Sequence, residues 1–306
     1  MIFGGYMKAV RIHAFGGPEV LQIDEVGIPE LGPGEVLVRI KAASVNPVDY
    51  KIRAGQFSRI GTRDLPLTLG RDISGVLEEG ARTREVMALL EWQQGGYAEF
   101  VVLPRALCIL KPRALSMEEA AAVPLAAMTA WQGLFQHGEL QSGQRVLIHG
   151  GAGGVGHFAV QFAALRGAEV ISTASSVDME FVRSLGAARL IDHRRQRFED
   201  EVEAVDLVLD LVGGEVRDRS WQVLRKGGML VSTLGPPDEL KARELGVRAK
   251  GYMTAPNASQ LEEIAALLES GKVRAHVAQV FPLEDAGAAQ TYAEHQHPRG
   301  KVVLAL

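Results

Sequence analysis

Three glycines at G-x-G-x-x-G spacing, Gly151, Gly153 and Gly156, follow the apolar run Val146–Ile148 and open a helical period. Such a loop suits a pyrophosphate. The first glycine permits a tight turn, the second lets backbone approach the phosphates, and the third lets helix and strand pack closely. The helix start adds free N–H groups and a partial positive charge, and Gly154 and Val155 complete the loop. A bare match to this spacing is weak, and its place between a strand and a helix makes it specific. The bland alternative is a glycine-rich turn with no ligand. No Lys-Ser/Thr follows, so a Walker A loop is excluded. A site built for NAD carries Asp or Glu about 20 residues further on, bonded to the ribose 2′-hydroxyl. Here Val170–Thr173 runs into Ala174, Ser175 and Ser176, with no acid at the tip. Two small hydroxyls leave room for a 2′-phosphate, so NADPH is expected, held by Ser175 and Ser176 with His193 and Arg194 as second contacts. Arg194 also reads as part of a solvated basic loop with Arg195 and Arg197, and Asp178 as a helix cap.

The elements that must position this loop alternate. Strands are expected at Val146–Ile148, Val170–Thr173, Arg189–Ile191, Val205–Leu209 and Met229–Leu234, with helices at Asp178–Leu185 and Glu215–Leu224 between them. Val155, Phe158, Ala159, Phe162 and Ala163 fall on one helix face that ends at Gly167. This βαβ alternation predicts an α/β doubly wound parallel sheet. Asp210, Gly213, Leu234 and Gly235 lie at the carboxyl ends of its strands, where an open sheet binds its ligand. The first hundred residues read differently, as short strands (Met7–Ile12, Val20–Val26, Val36–Ile40, Ile73–Leu77, Val86–Leu90, Tyr97–Leu103) separated by Gly and Pro turns. That pattern favours an antiparallel or barrel-like unit. Near residue 115 it gives way to helices, the first capped by Ser116 and broken near Pro124, the second at Thr129–His137. After residue 256 come a helix at Ser259–Ser270, a strand at Val277–Phe281, a helix at Leu283–Ala293 and a last strand at Lys301–Leu306, expected to return to the first unit. The expected division is 1–115, 116–256 and 257–306.

The chain has 306 residues, 33 Lys+Arg against 37 Asp+Glu, and one cysteine. A net charge of −4 argues against an electrostatically driven nucleic-acid binder. No apolar run approaches the roughly 20 residues that a bilayer needs. Met1–Tyr6 has neither a basic nor an apolar leader segment, so a cytoplasmic location without membrane association is expected.

Several separate motifs, in order over nearly the whole chain, resemble one family. They are Ser44–Gly55, with Asn46, Asp49, Tyr50 and Lys51; Gly70-Arg71-Asp72-Ile-Ser-Gly75; Gly95–Phe100; Thr129-Ala-Trp131; the glycine loop; Asp210–Gly214; and Gly300-Lys301-Val-Val. The chain is similar to the zinc-independent quinone oxidoreductases, zeta-crystallin-like, of the medium-chain dehydrogenase/reductase superfamily. The resemblance implies a central Rossmann domain, a GroES-like β-barrel domain built from both chain ends, a cleft active site, and commonly a homodimer. Zinc members carry a catalytic Cys near the position of Asn46 and His-Glu where Arg71-Asp72 stands. Cys108 is the only cysteine and reads as a small buried hydrophobe, so no zinc ligand set is expected. His295 and His297 read as an exposed loop. One departure is the shortened Gly80–Arg84 hairpin, expected to trim the barrel edge.

The implied activity is an NADPH-dependent oxidoreductase, a quinone oxidoreductase or 2-alkenal reductase, delivering hydride to quinones or α,β-unsaturated carbonyls. Such chemistry needs the reacting carbons in near-attack contact and donors where negative charge develops. By resemblance Lys51 and Tyr50 are the expected donors to the developing oxyanion, and Asn46 orients ribose or nicotinamide. Lys51 also reads as a residue on a solvated helix face, Asp49 as a local turn or a salt bridge to Lys51 or Arg53, and Tyr97 as barrel packing. Thr129, the Thr233–Gly235 strand end and Lys301 resemble nicotinamide contacts. Two other activities fit the same fold: a zinc-independent enoyl-thioester reductase, and a crystallin-like NADPH-binding protein without catalysis.

Overall fold

A computed structural model describes residues 5–79 and 82–306. The chain forms two compact units, one of residues up to Leu125 with Pro256–Leu306, the other Ala126–Ala255. The division expected at 115/116 therefore moves to 125/126. Helix Met117–Ala121 belongs with the first unit because Ala121 and Ala122 pack on Ala42 and Val303, and Ser74 Oγ donates to Met117 O at 2.6 Å. Ser116 and Glu119 close a reciprocal capping box at its start, an arrangement of about 1 kcal/mol.

In the second unit six parallel strands form one sheet: Arg145–Ile148, Glu169–Ala174, Arg189–Asp192, Val205–Asp210, Leu224–Ser232 and Arg248–Gly251. Their spatial order is third, second, first, fourth, fifth, sixth. The order reverses beside the first strand, and that reversal places a ligand crevice at its carboxyl end. Val-, Ile- and Leu-rich strands covered on both faces supply the core, with Leu147, Ile171, Ile191, Val208 and Leu230 wholly or almost wholly buried. Helix Gly156–Leu165 departs from the one-faced pattern, since all eight residues from Gly156 to Ala163 are buried. Trp131, at the end of helix Pro124–Trp131, meets Phe162 edge-on at 5.2 Å on the expected apolar face, while on the other face His157 Nδ1 bonds Gly153 O at 3.0 Å and Gln161 Nε2 donates to His157 O at 2.8 Å. The expected helix Thr129–His137 is an α-helix to Trp131 and a π-helical turn from Gln132 to His137, ended by Gly138.

In the first unit the long strand Glu35–Val45 is central. It pairs antiparallel with Asp72–Glu79, with Phe100–Pro104 and with the returning Lys301–Ala305, whose register sets Val302 against Val45 and Val303 against Ser44. Val277–Pro282 lies parallel on the far side of Lys301–Ala305. Arg82–Leu89 and Ile109–Leu110 extend the sheet the other way. A second, three-stranded sheet (Leu21–Gly27, Tyr6–Ile12, Leu67–Thr68) joins through the Ala9↔Ala98 bridge. Tyr97, Ile12, Ile40, Ile73, Leu77 and Leu103 fill the interior. The shortened hairpin pairs as far as Glu79↔Arg82, and its tip, 80–81, lies outside the described residues, as does 1–4.

Candidate active site

The glycine loop leaves the first sheet strand at His149 and enters its helix at Gly156. Its glycines have different reasons. A Cβ on Gly156 would collide with Gly150 O and lie 2.8 Å from Gly151 Cα, so the close loop–helix crossing itself demands glycine there. A Cβ on Gly151 would run into the Ser172 hydroxyl. At Gly153 a Cβ would meet only Gly150 O, at an ordinary 3.5 Å. The chain's own packing does not require glycine at Gly153, which fits close approach of an outside group to this backbone. Gly154 and Val155 are half-buried on the same turn.

A directed relay holds the loop. Ser220 Oγ donates its one proton to Val216 O at 2.7 Å, so it accepts from His149 Nε2–H at 2.9 Å. His149 Nδ1 is then an acceptor for the Thr173 hydroxyl at 3.3 Å, and Thr173 Oγ1 accepts the Gly150 N–H at 3.1 Å. Burial pushes the His149 imidazole down to about 4, so the ring is neutral at neutral pH. The partners of His149, Thr173 and Ser220, lie on two other elements and are not legible in the local sequence.

Asp210 closes the fourth strand. It is wholly buried, accepting from Val212 N at 3.0 Å and Gly213 N at 2.7 Å on one oxygen and from Ser232 Oγ at 2.8 Å on the other. Expected as a cofactor contact, Asp210 supports the turn at Gly213, whose φ is +78°. Leu234 is half-buried, its carbonyl accepting from Arg217, and Gly235 is exposed at φ +95°. Thr129 Oγ1 bonds Thr254 Oγ1 at 2.6 Å. Ser175 is buried, donating to Asp178 Oδ2, and the exposed Ser176 donates to Asp192 Oδ2, both at 2.5 Å. His193 and Arg194 are exposed. Asp192 is the residue that sequence reasoning missed. It ends the third strand and enters through the pairing Ala174↔Asp192.

In the first unit, helix Pro47–Arg53 starts at Asn46, and Asp49 Oδ2 accepts the Asn46 N–H at 2.8 Å. Asn46 is almost fully buried. Its Nδ2 donates to Asp72 Oδ2 at 2.9 Å and its Oδ1 accepts from Lys301 Nζ, which also donates to Val45 O at 2.9 Å. Ser44 Oγ donates to the same Asp72 oxygen. Burial lowers the Lys301 ammonium, and Asp72 and Asp49 pull it back up. Tyr97 is more than barrel packing: its hydroxyl donates to Asp49 Oδ2 at 3.1 Å, and burial, then Asp49, holds it well above the usual phenol range. Arg53 pairs with Glu294 at 3.1 Å and Gln290 at 2.8 Å, tying the helix to the chain's last helix. Tyr50 and Lys51 are half-buried, and burial, then Glu294, raises the Tyr50 phenol. Among the described residues the Lys51 ammonium has no hydrogen bond or ion pair, which leaves its three donors available.

Residues 32–113 match the alcohol dehydrogenase GroES-like domain family, and residues 185–304 match the family described as zinc-binding dehydrogenase. The chloroplastic NADPH-dependent alkenal/one oxidoreductase of Arabidopsis thaliana is 33% identical over 320 residues, 97% of this chain and 79% of that protein. The chain belongs to the medium-chain dehydrogenase/reductase superfamily. Within that superfamily it sits among the quinone and alkenal/one oxidoreductases. The mouse (Mus musculus) quinone oxidoreductase is 29% identical over 321 residues, 96% of each chain. The structure of the quinone oxidoreductase from Coxiella burnetii superposes with a TM-score of 0.91 at 34% identity, covering 98% of this chain and 99% of that one. The superfamily's zinc does not fit here. Asn46 and Asp72 bind each other and Lys301, Cys108 is buried, and no group of three or more His, Cys, Asp or Glu among the described residues could hold a metal ion.

Proposed function

We propose that the chain is an NADPH-dependent oxidoreductase that reduces quinones or α,β-unsaturated carbonyl compounds without zinc. The observation that carries this reading is the glycine loop at the switch point of the sheet, with Gly153 free of any internal need to be glycine. The relatives named above act on quinones and on alkenals or enones, and a mycobacterial structure 27% identical to this chain is complexed with NADPH. When bound, NADPH supplies the hydride. The chain's own residues bind and orient. Backbone N–H groups of Gly153, Gly154, Val155 and Gly156 face the pyrophosphate, and Ser175, Ser176, His193 and Arg194 face the adenosine ribose. Thr129, Gly213, Leu234 and Gly235 flank the nicotinamide. Asn46, its amide fixed by Lys301 and Asp72, presents a rigid polar edge, and Lys51, with Tyr50 beside it, donates a hydrogen bond to the oxygen on which charge develops.

A panel of quinones, short 2-alkenals and enoyl thioesters, each with NADPH and NADH, tests the reading. Oxidation of NADPH by a quinone or alkenal is expected. Tight NADPH binding with no acceptor reduced would leave a binding protein instead, and thioesters alone as acceptors would make it an enoyl-thioester reductase. We further propose a homodimer, supported by the edge strand Arg248–Gly251, which pairs on one side only among the described residues. A monomer by size-exclusion light scattering removes that part. Among the described residues no helix is long and apolar enough to cross a membrane. A cytoplasmic location belongs to the same proposal, and recovery in an organelle or membrane fraction overturns it.

A further inference from the structure

The adenosine-ribose end of the loop carries two serines, and both have given away their protons. Ser175 Oγ donates to Asp178 Oδ2 and Ser176 Oγ donates to Asp192 Oδ2. A hydroxyl has one proton, so each serine offers only lone pairs to anything arriving from solvent. A ribose 2′-hydroxyl can donate to such an oxygen. A 2′-phosphate is an acceptor and an anion, so it must either displace Asp192 from Ser176 or rest against lone pairs backed by a carboxylate. Asp192 is built to stay: it is 4 % exposed, Arg194 N donates to its Oδ1 at 3.0 Å, and its backbone N–H is held by Gln196 Oε1 at 3.1 Å. The Ser176 hydroxyl and the Arg194 N–H hold its carboxyl below the usual range, so it is ionised at neutral pH. Opposing it are the exposed His193 and Arg194, the latter with no side-chain ion pair among the described residues, and Arg195, whose Nε lies 3.6 Å from Asp192.

We propose that Asp192, acting through Ser176, is the specificity-determining residue for the cofactor: it restrains the preference for a 2′-phosphate and keeps NADH usable beside NADPH. This deepens the reading above and rests on it. The selectivity is a balance of two signs of charge around one hydroxyl. It is not the simple absence of an acid at the second strand's tip.

Asp192→Asn removes the charge and gives Ser176 an amide N–H to accept from, freeing the serine proton to face the ligand. The test is calorimetric titration of wild type, Asp192→Asn and Ser176→Ala with NADPH, NADH, 2′,5′-ADP and 5′-AMP. In Asp192→Asn the NADPH:NADH affinity ratio should rise about tenfold, equivalent to ~1.4 kcal/mol, and 2′,5′-ADP should tighten relative to 5′-AMP. An unchanged ratio overturns the proposal. Ser176→Ala takes the acceptor from the 2′-hydroxyl, so it too should shift the ratio toward NADPH. If Asp192→Asn does not fold, Ser176→Ala decides: equal loss of both dinucleotides overturns the assignment. Failure of wild type to bind either dinucleotide would instead sink the functional reading on which this rests.

Discussion

Burial raises the Asp49 carboxyl from its ordinary 3.8 to about 6, against the pull of the Asn46 N–H and Lys301. A carboxyl raised by folding is bound to its proton more tightly in the native than in the unfolded chain. Its contribution is therefore full below about pH 4 and lost as pH rises through about 6. Across that window the loss is on the order of 3 kcal/mol. Asp49→Asn should abolish this component, so the difference in unfolding free energy between variant and wild type should shift with pH between about 4 and 6, measured by urea titration at several pH values. A parallel pair of curves would remove Asp49 as the titrating group. Lys51 has a different job. Lys51→Ala should lower turnover about a hundredfold, the cost of one oxyanion donor, while NADPH affinity stays near wild type; wild-type turnover with every acceptor removes it from the mechanism. Residue types in the segment from Asn46 to Lys51 were legible because they lie close in sequence. The partners were not: Asn46 is fixed by Lys301, and Ser176 by Asp192, through contacts that only the completed sheets create.

The loop and its helix were legible because glycine spacing and helical period are local signals. The sixth strand, Arg248–Gly251, was not: Arg-Ala-Lys-Gly has no apolar alternation, and its side chains are exposed or half-buried at the sheet edge. The helix Gly156–Leu165 reads as one-faced in sequence, yet Gly156–Ala163 are all buried, since the polar His157 and Gln161 on the other face bond backbone carbonyls of their own turn. These facts separate two glycine substitutions. Gly156→Ala puts a methyl into backbone at Gly150 and Gly151, so it should lower the melting temperature whether or not cofactor is present. Gly153→Val meets little of the chain itself, so the melting temperature should stay near wild type while NADPH binding is lost. Unchanged NADPH affinity in Gly153→Val removes the loop assignment. The relay through His149 makes a related statement, since His149→Phe and Thr173→Val break the same chain of hydrogen bonds to Gly150. Their effects on NADPH affinity should fall short of additive in a double-mutant cycle, and strict additivity would mean that the two act separately.

The whole molecule depends on residues far apart in sequence. With Asn46 and Asp72 engaged by Lys301, the donor set leaves no place for a catalytic metal, so dialysis against a strong chelator should leave turnover with the preferred acceptor unchanged. Loss restored by added zinc would overturn the metal-free reading. The returning strand Lys301–Ala305 makes the sharper test. Its apolar pattern is legible in the chain but its neighbours are not, because register is set by the partners that bury it. It lies between Val277–Pro282 and the central strand, its Val302, Val303 and Leu304 are buried, and its Lys301 holds Asn46. Removing residues 301–306 exposes two sheet edges at once and strips three buried side chains worth roughly 1.5–3 kcal/mol each. That sum is comparable to the whole stability of a typical protein, about 5–15 kcal/mol. The truncated chain should therefore aggregate on expression or melt far below the full-length protein, and it should lack turnover even where soluble. A soluble truncated protein with wild-type melting temperature and activity would mean that the chain's end does not hold the site.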